Sequence, residues 1–175
     1  MTPPPNETGR LDPARFREPL RALYAALDTE VARLGPACLL SGRCCRFVEY
    51  DHVLFLSAPE AMLLLADAPP PARPLDRGET CPWQDVRGRC TAREARPLGC
   101  RVYFCDPASQ DRAPELSEMF LAQLKRLADD LGLPWGYAPL HVHLLRAQAE
   151  GRFAPPPADP HAPSRLDGSL PLIME

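Results

Sequence analysis

The sequence lacks several features that would assign it to a common class of protein. It contains no run of about 18 apolar residues, so no membrane-spanning helix is predicted. Its net charge is −3 and Lys125 is its only lysine, which argues against a nucleic-acid-binding protein that works through a basic surface. The first residues, Met1 to Glu7, have neither the basic nor the apolar segment of a secretory signal, so we expect a cytoplasmic protein.

The motifs of several enzyme classes are also missing. The sequence has no GxxxxGK phosphate loop, no GxGxxG dinucleotide fingerprint, no HExxH metalloprotease pair and no GxSxG nucleophile elbow. Many thiols are present, but the sequence does not single out one of them as a nucleophile. The motifs therefore leave open whether the protein is an enzyme.

Cysteine is absent from both flanks of the chain and concentrated in its middle. An odd number of cysteines without a secretory signal is more typical of metal binding than of a disulfide framework. We therefore expect metal ligands, with structural or redox disulfides as the alternative. The seven candidate ligands, all within residues 38–105, are Cys38, Cys44, Cys45, Cys81, Cys90, Cys100 and Cys105.

The number of thiols is compatible with more than one kind of centre. One tetrahedral zinc or one [4Fe–4S] cluster uses four thiolates, whereas two zinc ions that share a bridging thiolate would use all seven. Cys44 and Cys45 are neighbours, and neighbouring side chains in an extended chain point to opposite sides. Both can bind one metal only if the chain turns sharply there, which Gly42 would allow.

Apolar residues spaced three or four apart predict two long helices. The first has Asp12 as N-cap and Pro13 at the first helical position, and it ends at Gly35-Pro36. The second covers Pro114 to Leu131 and is followed by Gly132. Their apolar faces are formed by Phe16, Leu20, Leu23, Leu27, Val31 and Leu34, and by Leu116, Met119, Phe120, Leu124, Leu127 and Leu131.

Shorter elements are predicted between and after these helices. Residues 47–56 are rich in strand-forming side chains, and Ser57 to Glu60 read as a capping box that starts a short helix. The Arg87-Gly88 step predicts a turn that folds Cys81 and Cys90 towards each other. A third amphipathic helix is predicted from Pro139 to about Glu150.

These elements predict a small α-rich α+β domain over residues 12–153. Two or three helices are expected to pack around a loop-rich, cysteine-ligated metal centre. Residues 1–11 are expected to form a disordered leader and residues 154–175 a disordered, proline-rich tail.

The order of the cysteine motifs resembles a known family. The chain carries, in order, Cys38-Leu39-Leu40-Ser41-Gly42-Arg43-Cys44-Cys45, Cys81-Pro82, Cys90, Arg96-Pro97-Leu98-Gly99-Cys100-Arg101 and Cys105. This order of motifs resembles that of the YkgJ-type cysteine-cluster proteins. That family is described as a zinc- or iron-chelating domain with a CxxCxxCC opening and an RPxxCR element. Ser41 stands at the family's second cysteine position, so this chain has seven thiols where the usual pattern has eight.

The resemblance implies a centre held by the cysteines, with Ser41, Arg96 and Arg101 next to it. Ser41 would be a weak oxygen ligand, a hydrogen-bond donor to a thiolate, or the mark of a site with one ligand fewer. The arginine motif residues would offset the negative charge of the thiolates. Some flagellin lysine-methylating proteins carry a similar cysteine cluster, which keeps an enzyme among the alternatives.

Histidine offers few further ligands. His141 and His143 cannot share a metal on a helix, because side chains two residues apart point about 200° apart. On a strand they would share a face, but we expect a capped-helix or surface histidine pair. His52 is closer in sequence to Cys45 and is the better candidate for an additional ligand.

These observations favour a metal-binding protein with a cysteine-ligated centre, an iron–sulfur cluster, in a redox or iron-handling role. The first alternative is an interaction module in which zinc is purely structural. The second is a cluster-dependent oxidoreductase or transferase whose substrate the sequence does not indicate. The predicted partner is the metal ion or cluster, with neither nucleic acid nor membrane.

Overall fold

Helices provide most of the regular structure. The computed structural model describes residues 13–36, 38, 40–106 and 111–158. Within them a two-stranded antiparallel sheet pairs β1 with β2, and short 3-10 helices cover Pro13–Arg15 and Arg43–Cys45. The predicted α-rich α+β class is confirmed. The elements are α1 (Arg17–Leu34), β1 (Phe55–Leu56), α2 (Ala58–Asp67), α3 (Leu98–Arg101), α4 (Ala113–Asp130), β2 (Ala138–Pro139) and α5 (Leu140–Ala149).

The two long predicted helices are present as α1 and α4, and they pack against each other. Each is amphipathic, and the apolar side chains on the facing sides exclude water. α1 ends at Gly35, whose φ of 62° is the left-handed conformation expected of a C-cap glycine. The predicted N-cap Asp12 lies outside the described residues. Met119 was expected in the core but is 47% exposed, whereas Tyr24 is buried.

The strand predicted over residues 47–56 is mostly wrong, because only β1 at its end is a strand. The chain turns between Arg46 and Asp51, where Tyr50 N donates to Arg46 O at 3.2 Å and Asp51 has a φ of 49°. The side chains of Val48 and Val53 are 67% and 58% exposed, so these β-branched residues do not pack on a sheet. Strand-forming residues without a partner strand do not form a sheet.

The capping box at the start of α2 is confirmed. Ser57 Oγ accepts a hydrogen bond from Glu60 N at 3.4 Å, and Glu60 Oε2 accepts one from Ser57 N at 2.8 Å. The third predicted helix is present as α5. Its start is fixed by β2, which pairs Pro139 with Phe55.

Two groups of buried side chains form the core. The helical core lies mainly between α1 and α4 and includes Phe16, Leu27, Phe120, Leu124 and Leu133. The cysteine-side core includes Cys45, Leu56, Leu64, Trp83, Leu144 and Phe153. α3 connects the two, since Leu98 belongs to the helical core while Cys100 packs on the cysteine-side core.

The described residues contain no helix that is both long and apolar enough to cross a membrane. The predicted leader, and the predicted tail from residue 159 onward, lie outside the described residues. Phe153 is buried and packs against Trp83 with ring centroids 5.7 Å apart. The packed structure therefore extends to this residue.

Candidate metal centre

All seven cysteines line one cavity, with a volume of about 420 Å³. They reach it from separate parts of the chain: the segment after α1, the loop between α2 and α3, and α3 with the residues that follow it. Each is a free thiol. The structure thus brings together every cysteine that the sequence singled out.

The neighbouring pair Cys44 and Cys45 lies in a 3-10 turn that begins after Gly42. Cys45 N donates to Gly42 O at 3.1 Å, and the two Sγ atoms are 4.0 Å apart. Two thiolates on a tetrahedral zinc, each about 2.3 Å from the metal, are separated by about 3.8 Å. The sharp turn that the sequence required for a shared metal is therefore present.

Gly42 is required at this turn for two reasons. Its φ is 69°, which side chains other than glycine rarely adopt, and a Cβ there would lie 2.3 Å from Gly88 O. Gln84 joins the Gly42 and Gly88 segments, because its Nε2 donates to Gly42 O at 3.0 Å and to Gly88 O at 3.2 Å. Gln84 is buried, so these bonds fix the first cysteine segment against the loop that carries Cys81 and Cys90.

Backbone pairing places Cys81 and Cys90. Cys81 N donates to Cys45 O at 2.8 Å, and Gln84 forms an antiparallel bridge with Cys90. The predicted turn between the two thiols is confirmed, with Gly88 at a φ of 77°. Asp76 orders the approach to Cys81, since its carboxylate accepts backbone N–H bonds from Gly78, Glu79 and Thr80 at 2.8 to 3.0 Å.

A buried carboxylate positions α3 and therefore Cys100. Glu60 Oε1 accepts hydrogen bonds from Leu98 N at 2.9 Å and from Tyr24 Oη at 3.0 Å. Glu60 is only 2% exposed, and this burial raises its pKa. One side chain thus joins α1, α2 and α3, a role beyond the cap that the sequence indicated.

The remaining two cysteines lie beside polar side chains. Ser41 Oγ is 3.3 Å from Cys105 Sγ, which is hydrogen-bond distance for sulfur. Cys38 is exposed, and Arg93 Nη1 approaches its Sγ at 4.0 Å. Ser41 therefore contacts a cavity thiol, as expected if it donates to a thiolate.

The two motif arginines differ in what their charges can reach. Arg96 lines the cavity, and its charge contributes to lowering the pKa of Cys44 and of Cys90. The guanidinium of Arg101 is occupied by an ion pair with Asp28 at 2.5 Å, by Glu94 O at 2.8 Å and by Arg96 O at 2.8 Å. Arg101 also lines the cavity, but its bonds hold the loop before α3 in place.

The pKa values of the cavity thiols are shifted in opposite directions. The hydrogen bond from Cys45 lowers the pKa of Cys44 to about 6, and a bond from Cys45 lowers that of Cys90 to about 7. The same bonds, first that to Cys44, raise the pKa of Cys45. Burial raises the pKa of Cys100. A metal that binds all four would have to displace protons from Cys45 and Cys100.

No family model, curated protein or solved structure matches this chain. The likeness to the YkgJ-type proteins rests on the cysteine and arginine motifs alone. It remains a resemblance.

The thiol donors suit a soft metal, but their side chains are not arranged in a coordination geometry. In the described part of the chain, no group of three or more His, Cys, Asp or Glu side chains could hold a metal ion as it stands. The thiols, their shared cavity and the 4.0 Å pair at Cys44 and Cys45 fit a thiolate centre in kind. Binding would require the thiol sulfurs to move closer together.

The histidines occupy different places. His141 and His143 lie on α5, where His143 Nε2 is 2.9 Å from Leu56 O and the His141 ring packs against Gly78. Both histidines lie within one helix, where their side chains cannot share a metal. His52 lies in the irregular segment before β1, with its ring centroid 4.8 Å from that of Tyr103.

Sequence reasoning missed the residues that position the thiols. Gln84 and Asp76 act through side-chain bonds to backbone groups, and Gln84 belongs to no recognisable motif. Asp76 does precede Arg77-Gly78, a composition typical of an Asx turn, and that signal could have identified it.

Proposed function

We propose that this protein binds a metal centre through its cysteines and that the centre is an iron–sulfur cluster used in a redox or iron-handling role. The observation that carries the proposal is that seven cysteines from separate segments line one cavity. Scattered structural thiols have no reason to converge in this way. The resemblance to the YkgJ-type family supports the same function.

The candidate ligands are Cys38, Cys44, Cys45, Cys81, Cys90, Cys100 and Cys105, of which a [4Fe–4S] cluster would use four. The cluster, when bound, would supply one-electron redox chemistry. The protein would supply shielding from water, because Trp83 and Phe104 are buried in the cavity wall at 2% and 7% exposure. Arg93 and Arg96 would offset the thiolate charge.

Structural zinc is the second candidate. The 4.0 Å separation of the Cys44 and Cys45 sulfurs is close to that on a tetrahedral metal, and the segments around them have little regular structure. A zinc ion would then hold these loops together, and the function would lie on the surface. In both cases binding should stabilise the fold, because the ligand set is assembled only in the folded chain.

The experiment is metal analysis of full-length protein purified without oxygen after growth with sufficient iron. We expect a brown protein that contains iron and acid-labile sulfide. Cys44→Ala and Cys100→Ala should each lower the iron content and the melting temperature, whereas Thr29→Ala, an exposed change on α1, should alter neither.

The possible outcomes separate the candidates. Stoichiometric zinc without iron would favour the structural-zinc alternative. Protein without bound metal, with all thiols reacting freely with a thiol reagent, would contradict both. Full metal content in both cysteine variants would show that these two thiols are not ligands.

A further inference from the structure

A second cavity, with a volume of about 430 Å³, adjoins the cysteine cavity. We call it the His52 cavity. Cys44, Leu54, Cys100, Tyr103 and Phe104 line both cavities, so the two share a wall. The opposite side is formed by the start of α4, including Ser117, and by Phe55 and Tyr137. Its size lies within the range of small-molecule sites in proteins.

The wall is largely apolar and its mouth is aromatic. Leu54, Val102 and Phe104 are buried side chains that face this space. Phe55 and Tyr137 stack with ring centroids 5.6 Å apart, and they are 42% and 43% exposed. Exposed stacked aromatic rings beside an apolar cavity suit a ligand that is itself flat and apolar.

His52 provides an unused polar atom in this wall. Its Nε2 is buried and has no hydrogen-bond partner among the described residues. Nδ1 lies 3.5 Å from Tyr50 O, and a carbonyl can only accept, so in the tautomer that makes this contact Nδ1 carries the hydrogen. Nε2 is then an acceptor without a donor, an arrangement that proteins usually avoid in buried places.

The imidazole ring would have to turn to present Nε2 to the cavity. It is held edge-on to Phe47 at 5.4 Å and tilted over Tyr103 at 4.8 Å between centroids. Rotation about the Cβ–Cγ bond of histidine has a broad profile, so a small turn costs little. Because Nε2 is buried as the ring stands, a donor inside the cavity would reach it only after such a turn.

We propose that the His52 cavity binds a small aromatic molecule that donates one hydrogen bond to His52 Nε2, such as a phenol or an N–H heterocycle. The apolar wall would accept the ring, and His52 would select a donor over an isostere without one. The bound molecule would lie against Cys44 and Cys100. This inference goes beyond the metal centre, and binding does not depend on it.

Phenol and anisole are matched probes, because anisole has a methyl ether where phenol has its donor. We would titrate each into isotope-labelled full-length protein and follow the methyl signals of Val53, Leu54 and Val102 by NMR. Phenol should bind with millimolar affinity and about tenfold more tightly than anisole. Ser117→Phe, which fills the cavity, should abolish both, and Met119→Phe, on the exposed side of the same helix, should not.

The role of His52 is tested separately by His52→Phe. This variant should bind phenol and anisole equally, because the acceptor is lost while the apolar wall is kept. If Ser117→Phe fails to fold, Ala113→Leu fills the same cavity from one turn earlier.

Three results would overturn the inference: no shift of these methyl signals at millimolar phenol, binding that survives a folded cavity-filling variant, or a preference for phenol that persists in His52→Phe. Metal content is measured on the same samples before and after chelation. Failure of the metal proposal and failure of this one can therefore be told apart.

Discussion

Ser41 Oγ lies 3.3 Å from Cys105 Sγ, at the position where the YkgJ-type pattern has a cysteine. At the scale of single residues, this contact gives a physical consequence to the presence of serine instead of cysteine. A hydroxyl at this distance can donate to a thiolate, whereas a thiol could itself bind a metal. Ser41 Oγ also accepts a hydrogen bond from Arg43 N at 3.4 Å, which leaves its O–H free to donate to Cys105 Sγ.

Ser41→Cys should therefore increase metal retention. The new thiol would lie next to Cys105 and add an eighth soft donor to the cavity, and we expect about tenfold greater resistance to a chelator. Ser41→Ala should lower retention only modestly, because it removes a hydrogen bond and not a ligand. The measurement is the rate of metal loss to excess chelator.

Thr29→Cys is the control for Ser41→Cys, because it adds an exposed thiol on α1 away from the cavity. Retention that rises equally in both variants would reflect non-specific binding. Unchanged retention in Ser41→Cys would mean that the family's second cysteine position does not contribute a ligand here.

At the scale of elements, the helices could be predicted from the sequence and the loops could not. Apolar residues spaced three or four apart predicted α1 and α4, because each helix buries one face against the other. The segment before β1 was misjudged because its strand-forming side chains find no partner strand, and Phe47 N instead donates to Glu79 O at 2.9 Å. Such long-range pairing leaves no local pattern.

The cysteine site was predicted only in part for the same reason. The clustering of the thiols identified the ligands to test, and Gly42 was recognised as a turn residue. What holds the turn is Gln84, which is 42 residues away and reaches the Gly42 carbonyl across the fold. A side chain that bonds to a distant backbone group cannot be identified from spacing.

Gly42→Ala should damage the site far more than an equivalent change elsewhere. Gly42 and Gly35 both have left-handed backbone angles, at φ of 69° and 62°, but a Cβ at Gly35 meets nothing within 4 Å. Gly35→Ala should cost about 1 kcal/mol of unfolding free energy, the left-handed penalty alone. Gly42→Ala adds a contact of 2.3 Å with Gly88 O and should cost at least twice as much.

Urea unfolding and metal analysis of the two glycine variants provide the measurement. Gly42→Ala should also lose metal, because the clash separates the Cys44–Cys45 turn from the loop that carries Cys81 and Cys90. Gly35→Ala should keep it. Equal stability losses, or full metal content in Gly42→Ala, would show that the turn is not needed to assemble the site.

At the scale of the whole molecule, the two cores differ in what supports them. The helical core is formed by long helices that bury continuous apolar faces, so it has support of its own. The cysteine-side core depends on loops with little regular structure, packed between α2, α5 and the thiols. Loss of a bound metal should therefore loosen the second core first.

The two tryptophans, Trp83 and Trp135, report on the two cores separately. Trp83 is buried in the cysteine-side core, with Nε1 donating to Pro69 O at 2.7 Å, and Trp135 packs on the helical core. In Trp135→Phe, chelation should shift Trp83 fluorescence to longer wavelength as water enters. In Trp83→Phe, Trp135 fluorescence and the far-ultraviolet helical signal should change little.

Two other outcomes would contradict this expectation. If both tryptophans respond together, the protein unfolds as one unit and the metal supports the helices as well. If neither responds, the thiol loops keep their structure without metal, because the Gln84 and Asp76 hydrogen bonds are then sufficient to hold them.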